Sequence, residues 1–333
     1  MSYDPTASIP AIVSTLSPMH IGYFLQEKYK LSVNTTCRLI KAGINHTYIA
    51  TDGQDKYVFR LYSFDWRTRN EILEEIRLLN LVKENNIPVS YALKDVNDNY
   101  IQELSAPEGI RFGVMFSYAK GEKLLNFSVE QHYKIGEIMA RFHTVTHNVQ
   151  LERVTYTSKV MLEDSFEKLK QFLPLDTPEM NFMQQAQTYL LNAFENINMQ
   201  EVRKGAVHMD IWFDNFNITE EGIILFDFDF CGNGLLCYDI AYYILQLHST
   251  EKEEAVCKLK VDNFYKGYES IMQLTEEEKR LIPMLGVSFY FFYLGIQSER
   301  FDNWSNTFLN ETYLKRFINL LVKKYYESNG LGS

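Results

Sequence analysis

Hydrophobic and polar positions alternate along much of the first third of the chain, and this pattern predicts β-strands there. Residues 37–63 hold two apolar runs rich in Ile, Tyr, Val and Phe, joined by the polar segment TDGQD. Because an Asp-Gly pair between two such runs is a hairpin signal, we predict an antiparallel strand pair. Further strands are predicted around 91–93, 100–104 and 111–119.

Helical spacing appears between these strands and dominates the rest of the chain. In 68–86, Ile72, Ile76 and Leu79 recur at steps of three and four residues, which predicts an amphipathic helix that ends before Pro88. Later helices are indicated by capping signals, in which a Ser or Thr precedes the first turn. These helices begin after Ser128, Thr177 and Thr275, and a last amphipathic helix covers 311–327.

The order of elements predicts an α+β fold with two lobes. The first is a small antiparallel sheet crossed by one helix, and the second is larger and mostly helical. We divide the chain into an N-terminal lobe over 1–116, which includes an N-terminal helical extension, a hinge over 117–123, and a helical lobe over 124–333.

Composition narrows the functional classes. The 333 residues are 46% hydrophobic and carry a formal net charge of −10, which suits a globular protein and lacks the basic character of a nucleic-acid-binding domain. The four cysteines form no CxxC pair, so reduced thiols in a cytoplasm are expected rather than a disulfide framework.

The ends and the apolar runs of the chain predict no membrane partner. The first residues lack the basic and apolar regions of a signal peptide. The most apolar run, 281–296, has 16 residues and contains Pro283. Since a membrane span needs about 20 apolar residues, we predict a buried helix instead.

Several polar side chains interrupt an otherwise apolar stretch, AVHMDIWFDNFNI (206–218). His208, Asp210 and Asn215 have the form His-x-Asp-x4-Asn, and Asp227 follows in ILFDFDF. Buried carboxylates are costly unless they are paired or bind a cation. Such an order matches phosphoryl transfer, in which one carboxylate orients the attacking hydroxyl while an amide oxygen and a second carboxylate hold Mg²⁺.

With these landmarks the chain resembles the aminoglycoside phosphotransferase family, small-molecule kinases of protein-kinase-like fold with homoserine and choline kinases among their relatives. The resemblance implies that Asp210 is the catalytic base and that Asn215 and Asp227 hold magnesium. It also implies a nucleotide donor, ATP with GTP left open, and a structural role for His208 in bracing the catalytic loop.

The same resemblance assigns nucleotide-binding residues in the N-terminal lobe. KAGINHTY (41–48) is similar to the nucleotide-covering turn, with Gly43 and Asn45 at the matching places. VMFSYAKGE (114–122) is similar to the hinge, where Phe116 and Tyr118 would contact adenine through their backbone.

A departure from the family pattern lies on the strand YVFRLY (57–62), which carries Arg60 where a lysine is typical. Arginine is always charged, and its guanidinium can donate two hydrogen bonds to phosphate oxygens, so we expect nucleotide binding to be retained. The helix that follows offers Glu75 as the partner of this cation, and we predict an ion pair between them.

The predicted activity is ATP- and Mg²⁺-dependent phosphorylation of a small hydroxylated acceptor. Only 11 residues separate Asp227 from Asp239, too few for a peptide platform, so an amino sugar, an aminoglycoside or an amino alcohol such as homoserine is expected. One alternative is a nucleotide-binding pseudokinase that acts as a sensor or scaffold. Another is a phosphohydrolase that uses Asp227, Asp229 and His208. Acceptor identity and oligomeric state stay open at this stage.

Overall fold

The computed structural model describes residues 9–124, 126–219, 222–302 and 308–332. The strands are β1 Thr36–Ala42, β2 His46–Asp52, β3 Asp55–Leu61, β4 Ala92–Leu93, β5 Ile101–Ala106, β6 Gly109–Ser117, β7 Lys204–Val207, β8 Phe216–Ile218, β9 Ile223–Leu225 and β10 Gly232–Leu235. The α-helices are α1 Pro18–Tyr29, α2 Arg69–Glu84, α3 Val129–Thr146, α4 Asp164–Leu169, α5 Pro178–Glu195, α6 Cys237–Thr250, α7 Glu254–Glu269, α8 Glu276–Glu299, α9 Glu311–Phe317 and α10 Lys323–Ser328.

Contacts within the chain define two compact units. Of the described residues, the first contains those up to Ile76 together with Tyr91–Tyr118, and the second contains Arg77–Ser90 and Ala119–Phe301 with the C-terminal helices. The division therefore passes through α2 and, later, between Tyr118 and Ala119. The stretch 77–90, placed in the N-terminal lobe on sequence grounds, groups with the second unit.

The first unit contains a six-stranded antiparallel sheet in the order β1-β2-β3-β6-β4, with β5 also paired to β6. The predicted hairpin is confirmed, because β2 and β3 form an antiparallel pair. His46 lies opposite Leu61 at one end and Asp52 opposite Asp55 at the other, where Gly53 makes the turn with a φ of 60°. The stretch 37–63 contains three strands rather than the predicted two. The turn at Gly43–Asn45 divides the first apolar run into β1 and β2.

Alternation along the strands gives this sheet two different faces. Tyr48, Phe59 and Met115 point to one face, where they are buried in a common core with Ile21 and Leu25 of α1. The neighbouring positions point to the other face, as expected from the two-residue period of a strand. Arg60 lies on this second face.

The second unit is mainly helical, and its caps follow the predicted signals. Ser128 and Gln131 form a capping box at α3, Thr275 and Glu278 form another at α8, and the Thr177 side chain caps α5. The apolar run 281–296 lies within α8, and 78% of that helix's most apolar window is buried inside the protein. This burial confirms that α8 is a core helix.

Two short antiparallel pairs in the second unit carry the polar motif. β7 pairs with β10, with Val207 opposite Gly232 and Lys204 opposite Leu235. β8 pairs with β9, with Phe216 opposite Leu225 and Ile218 opposite Ile223. The segment 208–215 connects β7 to β8, and the segment 226–231 connects β9 to β10. Both motif segments are therefore anchored at each end by a strand.

Candidate active site

The turn that follows β7 is held by a buried carboxylate. Asp239, in the first turn of α6, accepts hydrogen bonds from the backbone N–H groups of His208 (3.0 Å) and Met209 (2.7 Å). The Nε2 atom of His143 lies 3.2 Å from the same carboxylate. A carboxylate at a helix N-terminus is also stabilised by the helix dipole. These contacts fix a turn in which Met209 adopts a positive φ of 68°.

His208 braces the loop from inside, as the family resemblance implied. Its Nδ1 accepts the Asp210 N–H at 3.2 Å, so Nε2 carries the proton and donates to the Phe226 carbonyl at 3.2 Å. Burial lowers the pKa of His208, while Asp239 and Asp227 oppose that shift. The ring is therefore a neutral link between the two motif segments, and both its nitrogens are engaged.

Asp210 is held by the side chain of Asn215 in the same loop. The Asn215 Nδ2 group donates to the Asp210 carboxylate at 2.6 Å and to its carbonyl at 3.0 Å. Tyr242 of α6 lies near this carboxylate, and burial followed by the Asp210 charge keeps the pKa of Tyr242 well above its usual value. Tyr242 is therefore a protonated side chain beside Asp210.

Asp227 follows β9 in a left-handed backbone conformation, with a φ of 65°. The preceding residue, Phe226, donates its N–H to the Asn215 carbonyl at 3.0 Å and accepts from His208. The side chain of Asp227 is partly exposed and lies close enough to His208 to affect its pKa. Asp227 thus stands beside the loop that carries Asp210 and Asn215.

The donor chemistry of these side chains suits magnesium. The Asn215 amide nitrogen donates a hydrogen bond to Asp210, so Asn215 Oδ1 is the atom that could ligate a cation. Asp227 supplies a carboxylate oxygen. Mg²⁺ prefers such hard oxygen ligands. Among the described residues no three His, Cys, Asp or Glu side chains form a metal-binding group. Asp229 is buried, and its carbonyl accepts a hydrogen bond from Arg153.

In the first unit, the predicted ion pair between Arg60 and Glu75 is confirmed. Arg60 Nη1 lies 2.6 Å from Glu75 Oε1, and the Tyr62 hydroxyl donates to the other carboxylate oxygen at 2.9 Å. The Arg60 guanidinium also lies 4.9 Å from the centre of the Phe116 ring. Glu75 is fully buried and Arg60 almost so, which makes this a fixed cationic group on the second face of the sheet.

The remaining predicted nucleotide residues lie around that sheet. The Gly43 N–H bonds to the Asn45 carbonyl at 3.2 Å, and the Asn45 side chain accepts the N–H of Ser63 at 3.2 Å, so this turn is braced against the end of β3. Phe116 is a β6 residue. Tyr118 follows β6 directly, and the Lys56 ammonium lies 5.4 Å from its ring centre.

Two aromatic residues near Asp210 were not identified from the motif. Tyr242 lies one helical turn after Asp239, and the 239, 242, 246 spacing of α6 would have placed it on the face towards the loop. Tyr293 of α8 feels the Asp210 charge, and burial is the main reason that its pKa rises to about 12.

Comparison with known proteins identifies the family of the chain. The model of the "Phosphotransferase enzyme family" matches residues 36–272. The chain belongs to this family. It is a phosphotransferase of protein-kinase-like fold.

Similar proteins cover nearly the whole chain. The uncharacterized protein sll1119 of Synechocystis sp. is 27% identical over 93% of this chain and 86% of its own length. A homoserine kinase of Agrobacterium fabrum is 22% identical, with 83% of each chain covered. Among solved structures, the amicoumacin kinase hAmiN has a TM-score of 0.76 at 17% identity and 94% coverage of both chains. A microcompartment-associated aminopropanol kinase has a TM-score of 0.75 at 18% identity, with 94% of this chain and 99% of that one covered.

Proposed function

We propose that this phosphotransferase is an ATP- and Mg²⁺-dependent kinase whose acceptor is a hydroxyl group of an amino sugar, an aminoglycoside or an amino alcohol such as homoserine. The observation that carries the proposal is the fixed Asp210 carboxylate, held by the Asn215 amide in the loop beside Asp227. A preorganised carboxylate of this kind can orient an attacking hydroxyl and take up its proton.

Each polar residue of the loop has a separate task in this proposal. Asp210 orients the acceptor hydroxyl for in-line attack, and Asn215 and Asp227 would hold Mg²⁺. When bound, the metal would offset the negative charge of the phosphates. His208 and Asp239 are positioning residues, since they fix the backbone from His208 to Asp210 without reaching the acceptor.

In the first unit, we assign the phosphate contact to Arg60, with Glu75 as the group that fixes it. The guanidinium is planar and always charged, so it can contact Glu75 and a phosphate oxygen together. The turn at Gly43 and Asn45 would cover the nucleotide. The backbone at Phe116 and Tyr118 would contact the base.

A short connecting segment and the names of similar proteins favour a small acceptor over a protein. The stretch between Asp227 and Asp239 is short and is occupied by a helical turn, β10 and the start of α6. The names of similar proteins also point to small amino-bearing acceptors: homoserine, aminopropanol and amicoumacin.

The two alternatives differ from this proposal in observable ways. A pseudokinase would bind nucleotide without turnover, but the pairing of Arg60 with Glu75 removes the main reason to expect one. A phosphohydrolase would need His208 as a metal ligand, yet both nitrogens of that ring are engaged by backbone groups.

A coupled measurement tests the proposal. We expect ATP with Mg²⁺ to raise the melting temperature, and we expect ADP release with at least one acceptor in a panel of amino alcohols, amino sugars and aminoglycosides. GTP run in parallel identifies the preferred donor. A thermal shift without ADP release on any acceptor would favour the pseudokinase, and the absence of any shift would refute nucleotide binding.

A further inference from the structure

A cavity in the second unit adjoins the loop that carries Asp210. Its volume is about 380 Å³, and its walls include Phe213 of the loop, Tyr243 and Gln246 of α6, and Lys260 of α7. Small-molecule sites usually occupy about 300–1,000 Å³, so this cavity suits a small ligand better than a sugar of several rings. Its walls combine aromatic surface with charged groups.

The central charged group of this cavity is a buried lysine. The Lys260 side chain is 8% exposed, and its ammonium donates to Glu251 Oε2 at 2.7 Å and to Asn126 Oδ1 at 2.8 Å. An ammonium has three donors, and these two bonds are the ones it makes among the described residues. One N–H of Lys260 is therefore available to a ligand.

Two neighbouring side chains add further donors. Because Asn126 Oδ1 accepts from Lys260, the Asn126 amide nitrogen remains a donor. The Tyr243 hydroxyl lies 2.6 Å from His132 Nδ1; with the phenol as donor, the proton of this ring is on Nε2. His132 is buried, and its Nε2 has no hydrogen-bond partner in the part of the chain that the structure describes.

The charges around the cavity balance. Lys252 and Lys260 are matched by Glu251 and Glu253 on its walls. Glu251 already uses one oxygen for Lys260 and the other for the N–H groups of Lys252 and Glu253, at 3.0 and 3.3 Å. A neutral lining with several spare donors suits a zwitterion that carries a carboxylate, whereas a polycation would need a surplus of acidic groups.

The cavity is linked to the proposed catalytic base. Phe213, which lies in the same segment 208–215 as Asp210, forms part of its wall, and Gln246 lines it one turn after Tyr242 on α6. A ligand held at Lys260 therefore lies in a cavity whose wall includes the loop that carries Asp210.

We propose that this cavity binds the carboxylate end of the acceptor through Lys260, Asn126 and His132, and that the acceptor is accordingly a hydroxy amino acid. The inference rests on the proposed kinase function and selects among its acceptors. Homoserine and 3-aminopropanol are a matched pair of probes, since they share the hydroxyl, the chain and the ammonium and differ only in the carboxylate.

Binding of the two probes to the full-length chain tests the site by calorimetry. We expect homoserine to bind at least about tenfold more tightly, the range for a charge-assisted hydrogen bond. In Lys260→Met, homoserine should no longer bind more tightly than 3-aminopropanol. The affinity for 3-aminopropanol should stay within about twofold of the parent value, and this retained binding also shows that the variant is folded. Lys258→Met, an exposed lysine of the same helix, is the control and should match the parent.

Several outcomes would overturn the inference. These are equal binding of the two probes, no binding of homoserine, or equal weakening of both by Lys260→Met. If Lys260→Met does not fold, Asn126→Ala decides, because Asn126 is exposed and its loss should weaken homoserine alone. ADP release is measured in parallel: binding that depends on Lys260 without turnover of any acceptor would refute the kinase proposal and leave the carboxylate site standing.

Discussion

Arg60 is a buried cation whose neighbours all suit a guanidinium. Glu75 accepts from Nη1 at 2.6 Å, Tyr62 holds the second carboxylate oxygen, and the Phe116 ring lies under the charged plane. A lysine could satisfy Glu75 but could not stack in this way or contact two groups with a rigid fork. Arg60, which replaces the usual lysine, therefore has neighbours that fit a guanidinium.

A double substitution separates the structural role of Arg60 from its proposed role in nucleotide binding. Arg60→Met should lower the free energy of unfolding by about 3–5 kcal/mol, because it removes the cation that offsets the buried charge of Glu75. Adding Glu75→Leu should restore most of that stability. Urea denaturation measures both effects, and Arg69→Met, which breaks the exposed pair with Glu103, is the control and should change stability by less than about 1 kcal/mol.

Nucleotide affinity of the restored double variant then gives the decisive comparison. If Arg60 contacts the phosphates, the Kd for ATP should rise at least about tenfold although the fold is intact. An unchanged Kd would mean that Arg60 serves the fold alone.

His46 is a buried histidine whose protonation should make stability depend on pH. Burial, with a smaller contribution from Arg111, lowers its pKa to about 4, and Glu108 partly opposes this. The unfolded histidine binds a proton near pH 6.5 and the folded one does not, so the free energy of unfolding should fall as the pH drops from about 6.5 towards 4.

Replacing this histidine should flatten that dependence. Urea denaturation at pH 7.5 and at pH 5.0 gives the decrease in the free energy of unfolding between the two. We expect this decrease to be about 1–2 kcal/mol smaller in His46→Gln than in the parent protein. His20→Gln, at an exposed position, should leave the pH profile as it is. Identical profiles for the parent and His46→Gln would contradict this account.

At the scale of elements, the crossing of α3 and α7 depends on two glycines. A Cβ on Gly136 would come within 2.2 Å of the Phe264 carbonyl oxygen, and a Cβ on Gly267 within 1.9 Å of the Tyr133 carbonyl oxygen. The two helices therefore pack backbone against backbone. The crossing also supports the site, because Tyr268 of α7 bonds His143 of α3 at 2.8 Å, and His143 contacts Asp239.

Gly267→Ala should force these helices apart. We expect a loss of about 1–3 kcal/mol in the free energy of unfolding, the usual cost of overpacking, despite the higher helix propensity of alanine. Thermal or urea denaturation measures it, with Lys266→Ala as a neighbour in the same helix that lacks this contact. A Gly267→Ala variant as stable as the parent would show that the two helices can separate without cost.

Local signals predicted many elements, and long-range packing determined what they missed. The caps at Ser128, Thr177 and Thr275 are side-chain contacts within three residues, so the sequence contains them. The division of one apolar run into β1 and β2 depends instead on Asn45 bonding Ser63 at the end of β3, a contact across 18 residues. The close packing of α3 and α7 at Gly136 and Gly267 also depends on a long-range contact, and the periodicity of the sequence does not reveal it.

At the scale of the whole molecule, family and fold could be predicted because the motif residues occur in a fixed order along the chain. His208, Asp210, Asn215 and Asp227 require neither packing nor register to be noticed. The cavity at Lys260 could not be predicted in this way, since its relation to Asp210 depends on how α6 and α7 pack around the loop.

In the proposed function, Asp210 acts on the acceptor hydroxyl within a site that binds nucleotide independently of Asp210. The most direct measurement is the steady-state kcat of Asp210→Asn together with its Kd for ATP, beside Asp262→Asn, the same change in an exposed ion pair of α7. We predict that kcat falls by about 100-fold or more while the Kd for ATP stays within about threefold of the parent value, and that Asp262→Asn changes neither. Unchanged turnover in Asp210→Asn, or a loss of nucleotide affinity as large as the loss of turnover, would contradict the account.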